Sequence, residues 1–353
     1  MTSSKTSEHE GTSRSALAVV PCLNEQEHIG QVVGQLALEA ERLNLTVVVA
    51  DGGSTDRTCS IVQEIARSSA RVALMHNPKR IQAAAINAAV SKYGQESDFL
   101  IRVDAHANYP DRYCETLLNV QARTQADSVV VTMRTIGSSC FQRAAAAAQN
   151  SLLGNGGSPH RNEAADRWVI HGHHALMTID AFRAVGGYDE TFTHNEDAEL
   201  DARLTDQGFR IYLTGDVYAT YYPRGSVIRL FRQYFNFGRG RARNFLKHRK
   251  SAGLRHAVLA GVAPSLCLII LTPFNYAFAI PALAWISLCA GFGIALGIRR
   301  RDSCAAAAGI AAMAMQSAWS FGFIRQLTAE LALYVRTELG VGHKLKNQDH
   351  ITR

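Results

Sequence analysis

Residues 47–56 read VVVADGGSTD, in which a short apolar run ends at Asp51. The β-branched residues before it predict a strand covered on both faces, and the two glycines permit a tight turn into a helix. Ser54 can cap that helix, and Asp56 suits its first turn. Asp51 then stands at the carboxyl end of a strand, where its carboxylate can accept hydrogen bonds from a base or a ribose. An ordinary strand-to-helix turn explains the same residues equally well.

A second strand, predicted over 99–103, runs into Asp104-Ala105-His106. In an extended chain alternate side chains face the same side, so we expect Asp104 and His106 to point together. A carboxylate oxygen and an imidazole nitrogen can hold a divalent cation, and this mixture suits Mn²⁺ at least as well as Mg²⁺. Beside a nucleotide diphosphate, such a cation would neutralise the departing phosphate. Without a metal, the same residues are a strand-end carboxylate and a surface histidine.

An acidic pair follows a potential helix cap in residues 194–201, which read HNEDAELD. Asn195 can cap a helix that ends near Gly208, which places Glu196 and Asp197 in its first turn. Acidic residues there often only complement the helix dipole. They can also supply a general base that takes a proton from an attacking hydroxyl. Asp197 is the candidate base and Glu196 its neighbour.

Two further segments carry candidate binding residues. Lys79 and Arg80 precede a helix predicted over 82–90, and either side chain could contact a phosphate, although basic residues at a helix start commonly have no ligand. The segment 171–174 reads HGHH, and a zinc site there lacks an evident fourth ligand. We therefore expect a loop that lines a substrate pocket.

The composition limits the classes of partner. The 353 residues carry a formal net charge of +7, and basic residues crowd into 239–255 and 299–301. These clusters indicate binding to an anionic membrane surface or to an anionic substrate; the alternative is a basic face that contacts only solvent. No recognition motif supports nucleic acid. The seven cysteines show no CxxC pair and no regular spacing, so we expect neither a zinc site nor a disulfide framework. We also expect the catalytic part to lie in a reducing compartment.

The order of predicted elements divides the chain into four parts. Strands at 16–20, 47–50, 72–75 and 99–103 alternate with helices, one of which Asn24 could cap. This order predicts an α/β fold with a mostly parallel sheet and helices on both faces. We expect a disordered N-terminal tail over 1–14, a catalytic domain over 15–255, a membrane region over 256–325 and a C-terminal tail over 326–353. The first residues lack the apolar core of a signal peptide.

Residues 257–274 and 275–298 contain no charged side chain, and each is close to the length that crosses a bilayer. Buried core helices are the alternative, but the flanking basic clusters favour membrane spans. A third uncharged stretch, 304–324, is rich in alanine, so the sequence leaves two or three spans open. Because basic residues flank the first two spans, we expect the catalytic region to face the cytoplasm in a multi-pass inner-membrane protein.

Together these motifs resemble the family-2 glycosyltransferases, which have a GT-A fold, over residues 16–243. The resembling segments are 20–25, 51–56, 104–106, 186–190 and 196–197. The resemblance implies a GT-A nucleotide-diphospho-sugar transferase with Asp197 as catalytic base and a nucleotide contact at Asp51. The candidate residues for binding the nucleotide sugar are Pro21, Asn24, Glu25, Asp51, Arg80 and Asp104. The family's usual Asp-x-Asp metal motif is Asp-x-His here, so Asp104 and His106 are the expected ligands of Mn²⁺ or Mg²⁺.

The resemblance also bears on the acceptor. Processive members carry Gln-x-x-Arg-Trp after the base, whereas this chain has no Arg-Trp pair after Asp197, which favours addition of a single sugar. Similarity within the family is strongest to bacterial transferases of exopolysaccharide (succinoglycan) biosynthesis. That similarity implies β-1,3 transfer of glucose from UDP-glucose to a polyprenyl-diphosphate-linked saccharide, beside other assembly enzymes. Candidate acceptor-binding residues are Gly172, His173, Arg239 and Arg241. A processive synthase, another sugar or lipid acceptor, and a non-catalytic nucleotide-binding membrane scaffold are the alternatives.

Overall fold

The computed structural model describes residues 14–155, 166–249 and 253–348. The strands are β1 (Ala16–Cys22), β2 (Leu45–Asp51), β3 (Val72–His76), β4 (Phe99–Arg102), β5 (Ser128–Thr135), β6 (Arg167–Val169), β7 (His173–Thr178) and β8 (Ile211–Tyr221). The helices are α1 (Ile29–Ala40), α2 (Thr58–Ser68), α3 (Gln82–Tyr93), α4 (Tyr113–Thr124), α5 (Cys140–Gln149), α6 (Leu152–Asn155), α7 (Ile179–Ala184), α8 (Glu196–Asp206), α9 (Val227–His248), α10 (Leu254–Ala260), α11 (Val262–Leu268), α12 (Ile280–Arg300), α13 (Ser303–Ala306) and α14 (Ala308–Gln348). Short 3₁₀ segments lie at Ile269–Leu271 and Tyr276–Ala279.

The strands form one mixed sheet in the order β3-β2-β1-β4-β7-β5-β8-β6. The four strands expected from the sequence are its parallel part, with β1 between β2 and β4 and with β3 beyond β2. The pairs β4–β7, β5–β7 and β6–β8 are antiparallel. The α/β class is confirmed, and the sheet is less parallel than predicted because β5 to β8 come from a region where the sequence indicated no strands.

The chain divides into two compact units. Of the described residues, the first unit comprises 14–131, 166–190 and 203–217, and the second comprises 132–155, 191–202, 218–249 and 253–348. In the first unit β1 and β2 are almost wholly buried, as their apolar runs require. Glu39 of α1 is buried as well, and its carboxylate accepts hydrogen bonds from the backbone N–H groups of Cys114 and Glu115 at the start of α4. This acid fixes α1 to α4, a role that helical periodicity could not show.

In the second unit small side chains form the core. Ala145, Ala147 and Ala148 of α5 pack with Leu230 of α9 and with the alanine-rich first turns of α14. A disulfide joins Cys140 to Cys304, and the ion pair of Arg143 with Asp302 lies at the same helix ends. The cysteine spacing argued against a disulfide framework and did not predict this pair. The partners are 164 residues apart, and no spacing rule links such distant cysteines.

Three helical segments are long and apolar enough to cross a membrane: Leu254–Leu271, Tyr276–Arg300 and Ser303–Val335. Within the apolar part of each segment, 11% of the first, 17% of the second and 61% of the third is buried inside the protein. The third segment therefore packs largely within its own unit. Its helix, α14, continues to Gln348, well past residue 325. The predicted disordered tail lies outside the described residues except at Arg14.

Candidate active site

Two loops at the carboxyl ends of β1 and β2 are joined by reciprocal hydrogen bonds. The backbone N–H of Asn24 donates to Ser54 Oγ at 2.8 Å, and Asn24 Oδ1 accepts from the backbone N–H of Thr55 at 2.8 Å. The backbone N–H of Glu25 donates to Thr58 Oγ1 at 2.8 Å. These side chains therefore hold neighbouring loops together across the sheet edge.

This arrangement corrects two predicted helix caps. The first helix begins at Ile29, so Asn24 does not cap it. The second begins at Thr58, where Asp56 Oδ1 rather than Ser54 accepts from the Thr58 backbone N–H at 3.0 Å. Both errors have one cause, because a polar side chain in a turn can satisfy a neighbouring loop as well as its own helix.

Asp51 organises the turn that follows β2. Its Oδ2 accepts hydrogen bonds from the backbone N–H groups of Gly53 at 2.8 Å and Ser54 at 3.0 Å, and its Oδ1 accepts from Ser54 Oγ. Burial opposes the charge, but the hydrogen bonds from Ser54 and Gly53 outweigh it and lower the pKa of the Asp51 carboxyl. Asp51 is thus an ionised group at the sheet edge.

A cavity of about 180 Å³ opens beside this turn. The lining contains five of the residues that the sequence nominated: Pro21, Glu25, Arg80, Asp104 and His106. It also contains residues that the sequence analysis missed, among them Cys22, Leu23, Asn77, Ile81 and Gln82. Asn24 and Asp51 shape the loops that contribute to this lining. The parallel strands thus bring most of the predicted nucleotide-sugar residues to one edge of the first unit, as expected for an α/β ligand site.

Arg80 gives the cavity a cation close to the glycine turn. Its backbone is left-handed, with φ 56°, and its guanidinium Nη2 lies 3.3 Å from the position that a Cβ on Gly53 would occupy. Lys79, the other candidate for a phosphate contact, forms an ion pair with Glu190 instead. A guanidinium at this place can bind a phosphate with two parallel hydrogen bonds.

Asp104 and His106 lie in the same lining and contact different side chains. Asp104 Oδ1 is 3.3 Å from Arg102 Nη2, and Asp104 Oδ2 is 3.5 Å from His173 Nε2. His106 Nδ1 is 3.2 Å from Glu25 Oε1. The chain turns after β4, so the expectation of an extended Asp-x-His is wrong. Burial opposes the charge of Asp104, but Arg102, His173 and His106 together lower the pKa of its carboxyl.

These side chains offer donors that suit a divalent cation. Glu25 and Asp104 supply carboxylate oxygens and His106 a ring nitrogen, all on the lining of one cavity. No cluster of three or more histidine, cysteine, aspartate or glutamate side chains occurs in metal-binding geometry within the part of the chain that the structure describes. The donor set fits a cation, whereas its present contacts are ion pairs.

The histidines of segment 171–174 have separate roles. His173 begins β7 and contacts Asp104, whereas His174 is buried with its Nδ1 2.8 Å from Tyr188 Oη. A Cβ at Gly172 would lie 2.4 Å from the Val130 side chain, so a glycine is needed there for packing. His173 therefore lies beside a lining residue of the cavity, and the second half of the expected pocket loop is part of β7.

The second unit carries the acidic pair. Glu196 and Asp197 are half-buried in the first turn of α8, which ends at Asp206 just before the turn at Gly208, as predicted. Sequence reasoning missed two buried acids further along this helix, Glu199 and Asp201. Helical periodicity does not reveal buried acids, because burial of a carboxylate depends on partners elsewhere in the fold.

The basic residues from Arg239 to Lys247 lie on α9, and several of them contact protein groups. Arg239 Nε donates to Gln326 Oε1 at 3.2 Å, and Arg243 Nη1 donates to the carbonyl of Thr191 at 2.6 Å. Arg241 is half-buried. Burial and the neighbouring Arg255 lower its pKa to about 10, although Asp201 opposes this shift. The acceptor-binding candidates on α9 thus include cations that already have protein partners.

The mixed sheet with flanking helices, and the cavity at the ends of its parallel strands, are those of a GT-A-like fold. The sequence profile of glycosyl transferase family 2 matches residues 17–186. The chain is 51% identical over 321 residues to the succinoglycan biosynthesis protein ExoA of Rhizobium meliloti (strain 1021), covering 91% of this chain and 97% of that protein. The chain therefore belongs to glycosyl transferase family 2 and is a glycosyltransferase.

Two more distant proteins are also similar to this chain. A dolichyl N-acetyl-alpha-D-glucosaminyl phosphate 3-beta-D-2,3-diacetamido-2,3-dideoxy-beta-D-glucuronosyltransferase of Methanococcus voltae is 22% identical over 231 residues, covering 62% of this chain and 70% of that protein. The mannosyltransferase PcManGT from Pyrobaculum calidifontis, solved with GDP-Man and Mn²⁺, superposes with a TM-score of 0.59 at 19% identity. It covers 90% of this chain and 88% of that one, and at this identity it supports the fold alone.

Proposed function

We propose that this chain adds one glucose from UDP-glucose to a polyprenyl-diphosphate-linked saccharide in the biosynthesis of succinoglycan or a similar bacterial exopolysaccharide. The observation that carries the proposal is the 51% identity to ExoA along nearly the whole of both chains. Addition of a single sugar rests on the absence of an Arg-Trp pair after Asp197 in the sequence. The name of the archaeal relative, which acts on a dolichyl-linked sugar, supports a lipid-linked acceptor in general terms.

The donor nucleotide is assigned to the cavity of the first unit. Arg80 would pair with the donor diphosphate, since it is a cation on the lining beside a Gly-rich turn. Asp51, which the hydrogen bonds of its turn keep ionised, would contact the nucleotide at the end of β2. Asp104 and His106, both on the lining, would hold a divalent cation, which when bound stabilises charge on the leaving diphosphate.

The base is assigned to Asp197. The acceptor hydroxyl gives its proton to the carboxylate, its oxygen forms a bond to the anomeric carbon, and the bond from that carbon to UDP breaks. One displacement inverts the configuration at the anomeric carbon. Asp197 is half-buried in the first turn of α8, and the resemblance of the Glu196-Asp197 pair to the family's motif supports this assignment.

The remaining basic residues are assigned to the acceptor and the membrane. Arg239 and Arg241 would attract the acceptor diphosphate, with Gly172 and His173 as further acceptor candidates, and the basic segment 299–301 would anchor the chain at an anionic leaflet. We place the protein in the cytoplasmic membrane with two or three spans and its catalytic region on the cytoplasmic side.

The deciding experiment uses membranes that contain the full chain, a panel of radiolabelled nucleotide sugars and galactosyl-diphosphate-polyprenol. One labelled lipid product from UDP-glucose alone would support both donor and acceptor. A ladder of products would show a processive synthase, and transfer from another nucleotide sugar would reassign the donor.

Asp197→Asn should lose nearly all turnover while keeping its affinity for UDP, because the amide is isosteric but cannot take the proton. Turnover and UDP binding are measured on the same membranes. An active Asp197→Asn would show that this residue is not the base.

Excess chelator should abolish transfer, and added Mn²⁺ should restore it in the parent chain but not in Asp104→Asn. Full activity in excess chelator would remove the metal assignment.

A further inference from the structure

One face of α9 follows the segment that leads into the acidic pair. We call this face the α9 seam and define it as Phe237, Gly240, Arg243, Lys247 and His248. Phe237, Gly240, Arg243 and Lys247 are spaced three or four residues apart, so they lie along one side of the helix, and His248 follows Lys247 directly. Each contacts a residue between Thr191 and Glu199, the stretch that contains Glu196 and Asp197.

At its first positions the seam holds the backbone just before α8. Asn195 Nδ2 donates to the carbonyl of Phe237 at 2.7 Å. A Cβ on Gly240 would lie 2.4 Å from the carbonyl oxygen of His194 and 2.8 Å from Asn195 Nδ2. Only a glycine permits this approach, so α9 lies directly against the residues that precede the acidic pair.

Arg243 fixes the start of the same segment. Its guanidinium donates to the carbonyl of Thr191 at 2.6 Å and to Thr191 Oγ1 at 3.2 Å, and it lies 4.7 Å from the centre of the Phe192 ring. Lys247 Nζ lies 5.5 Å from the same ring centre. Phe192 is only 3% exposed, so two cations of the basic cluster cover a buried aromatic side chain.

Two other residues of the α9 seam hold Glu199, which follows the acidic pair Glu196-Asp197 in the chain. Its side chain is fully buried, and its Oε1 lies 2.6 Å from Lys247 Nζ and 3.2 Å from His248 Nε2. A carboxylate removed from water needs such partners to remain charged. The seam therefore fixes the chain both before Asp197, at residues 191–195, and after it, at Glu199.

We infer that the α9 seam positions the catalytic carboxylate, with Arg243, Lys247 and Glu199 as positioning residues. This inference rests on the proposed role of Asp197 as the base. It gives the basic residues of α9 different roles. Arg243 and Lys247 bind protein groups around the acidic pair, whereas Arg239, which donates to Gln326, and Arg241 remain the candidates for binding the acceptor. Small displacements of a reacting group are costly, and a shift of about 1 Å can reduce turnover about a hundredfold.

The test compares kcat, the KM for the donor and the affinity for UDP in full-length variants. Gly240→Ala and Arg243→Met should lower kcat about tenfold or more, while the donor KM and the UDP affinity stay within about twofold of the parent. Lys247→Met should behave likewise, and Lys247→Arg should retain most of the turnover because it keeps a cation for Glu199. The double variant Glu199→Gln/Lys247→Met removes both charges and replaces Lys247→Met if that variant does not fold.

Two variants serve as matched controls. Gly34→Ala adds a methyl group within α1, where nothing lies within 4 Å, and Arg229→Met removes an exposed cation from α9 itself. Both should leave turnover unchanged. Normal kcat in Gly240→Ala and Arg243→Met would overturn the inference, and so would equal losses of kcat and UDP affinity, which indicate general unfolding.

Asp197→Asn, assayed in parallel, separates failure of the two proposals. If that variant stays active, the base assignment fails and the positioning role fails with it. If it is inactive while the seam variants have normal kcat, the base assignment stands and only the positioning role is overturned.

Discussion

Two adjacent glycines after β2 should respond differently to the same substitution. Gly53 has a φ of 88°, in the region that L-residues rarely adopt, and a Cβ there would lie 3.3 Å from Nη2 of Arg80. Gly52 has no such φ, and its Cβ would make ordinary contacts, at 3.4 Å from the Cys22 carbonyl oxygen and 3.6 Å from the Arg80 Cα. The sequence presents both glycines as one turn signal, whereas the structure requires glycine chiefly at Gly53.

The expected magnitude follows from these geometries. A non-glycine residue in the left-handed region costs about 1–2 kcal/mol. In Gly53→Ala the Arg80 guanidinium must also move by a few tenths of an ångström, which should weaken a contact to the donor diphosphate. In Gly52→Ala no backbone strain arises, and the free energy of unfolding should change by less than about 0.5 kcal/mol.

Thermal unfolding of the detergent-solubilised chain, with and without UDP, measures both effects. We expect a lower midpoint and a reduced shift by UDP for Gly53→Ala, and a parent-like midpoint without UDP for Gly52→Ala. Arg80→Met provides the reference for loss of the cation alone. Equal midpoints for the two alanine variants without UDP would refute the assigned turn geometry.

Three further predictions follow from the first and second units. The lowered pKa of Asp51 means that its carboxylate stabilises the fold above the usual carboxyl pKa of 3.8 and that this contribution is lost as the pH falls through the folded value. Asp51→Asn should therefore flatten the acid side of a plot of unfolding midpoint against pH, and an unchanged slope would contradict this. Arg80→Met should weaken UDP binding about tenfold or more in calorimetric titrations, since a charge-assisted hydrogen bond contributes about 1.5–3 kcal/mol; unchanged affinity would remove Arg80 from the site. Cys140→Ser should destabilise the chain by about 2–4 kcal/mol in non-reducing buffer and have little effect in reducing buffer, and equal effects in both buffers would argue against the pairing with Cys304.

Local patterns were sufficient for the parallel half of the sheet. The apolar runs before Asp51 and Asp104 are strands, and Glu196 and Asp197 stand in the first turn of a helix, as expected. These features depend on residues close together in the chain, where periodicity and turn chemistry act directly. The candidate residues around Pro21, Arg80 and Asp104 share a cavity because parallel strands end at one edge.

Local sequence patterns could not predict which groups the polar side chains would contact. Asn24 joins a neighbouring loop rather than capping its own helix, and His106 lies in a turn against Glu25 rather than in an extended strand with Asp104. In each case several partners were chemically acceptable, and the choice depended on which loop the sheet brought near. A motif therefore restricts the chemistry of a residue but leaves its contacts open.

By itself, the sequence determined the class of fold, the order of the first strands, the three apolar helices and the residue types available for transfer chemistry. Tertiary structure alone decided that Cys140 pairs with Cys304, that Glu199 is buried and that Arg243 and Lys247 hold the segment before and after Asp197. The physical reason is that periodicity reports which face of an element is apolar. The partners of a charge or a thiol depend on residues far away in the chain, and only packing brings them together.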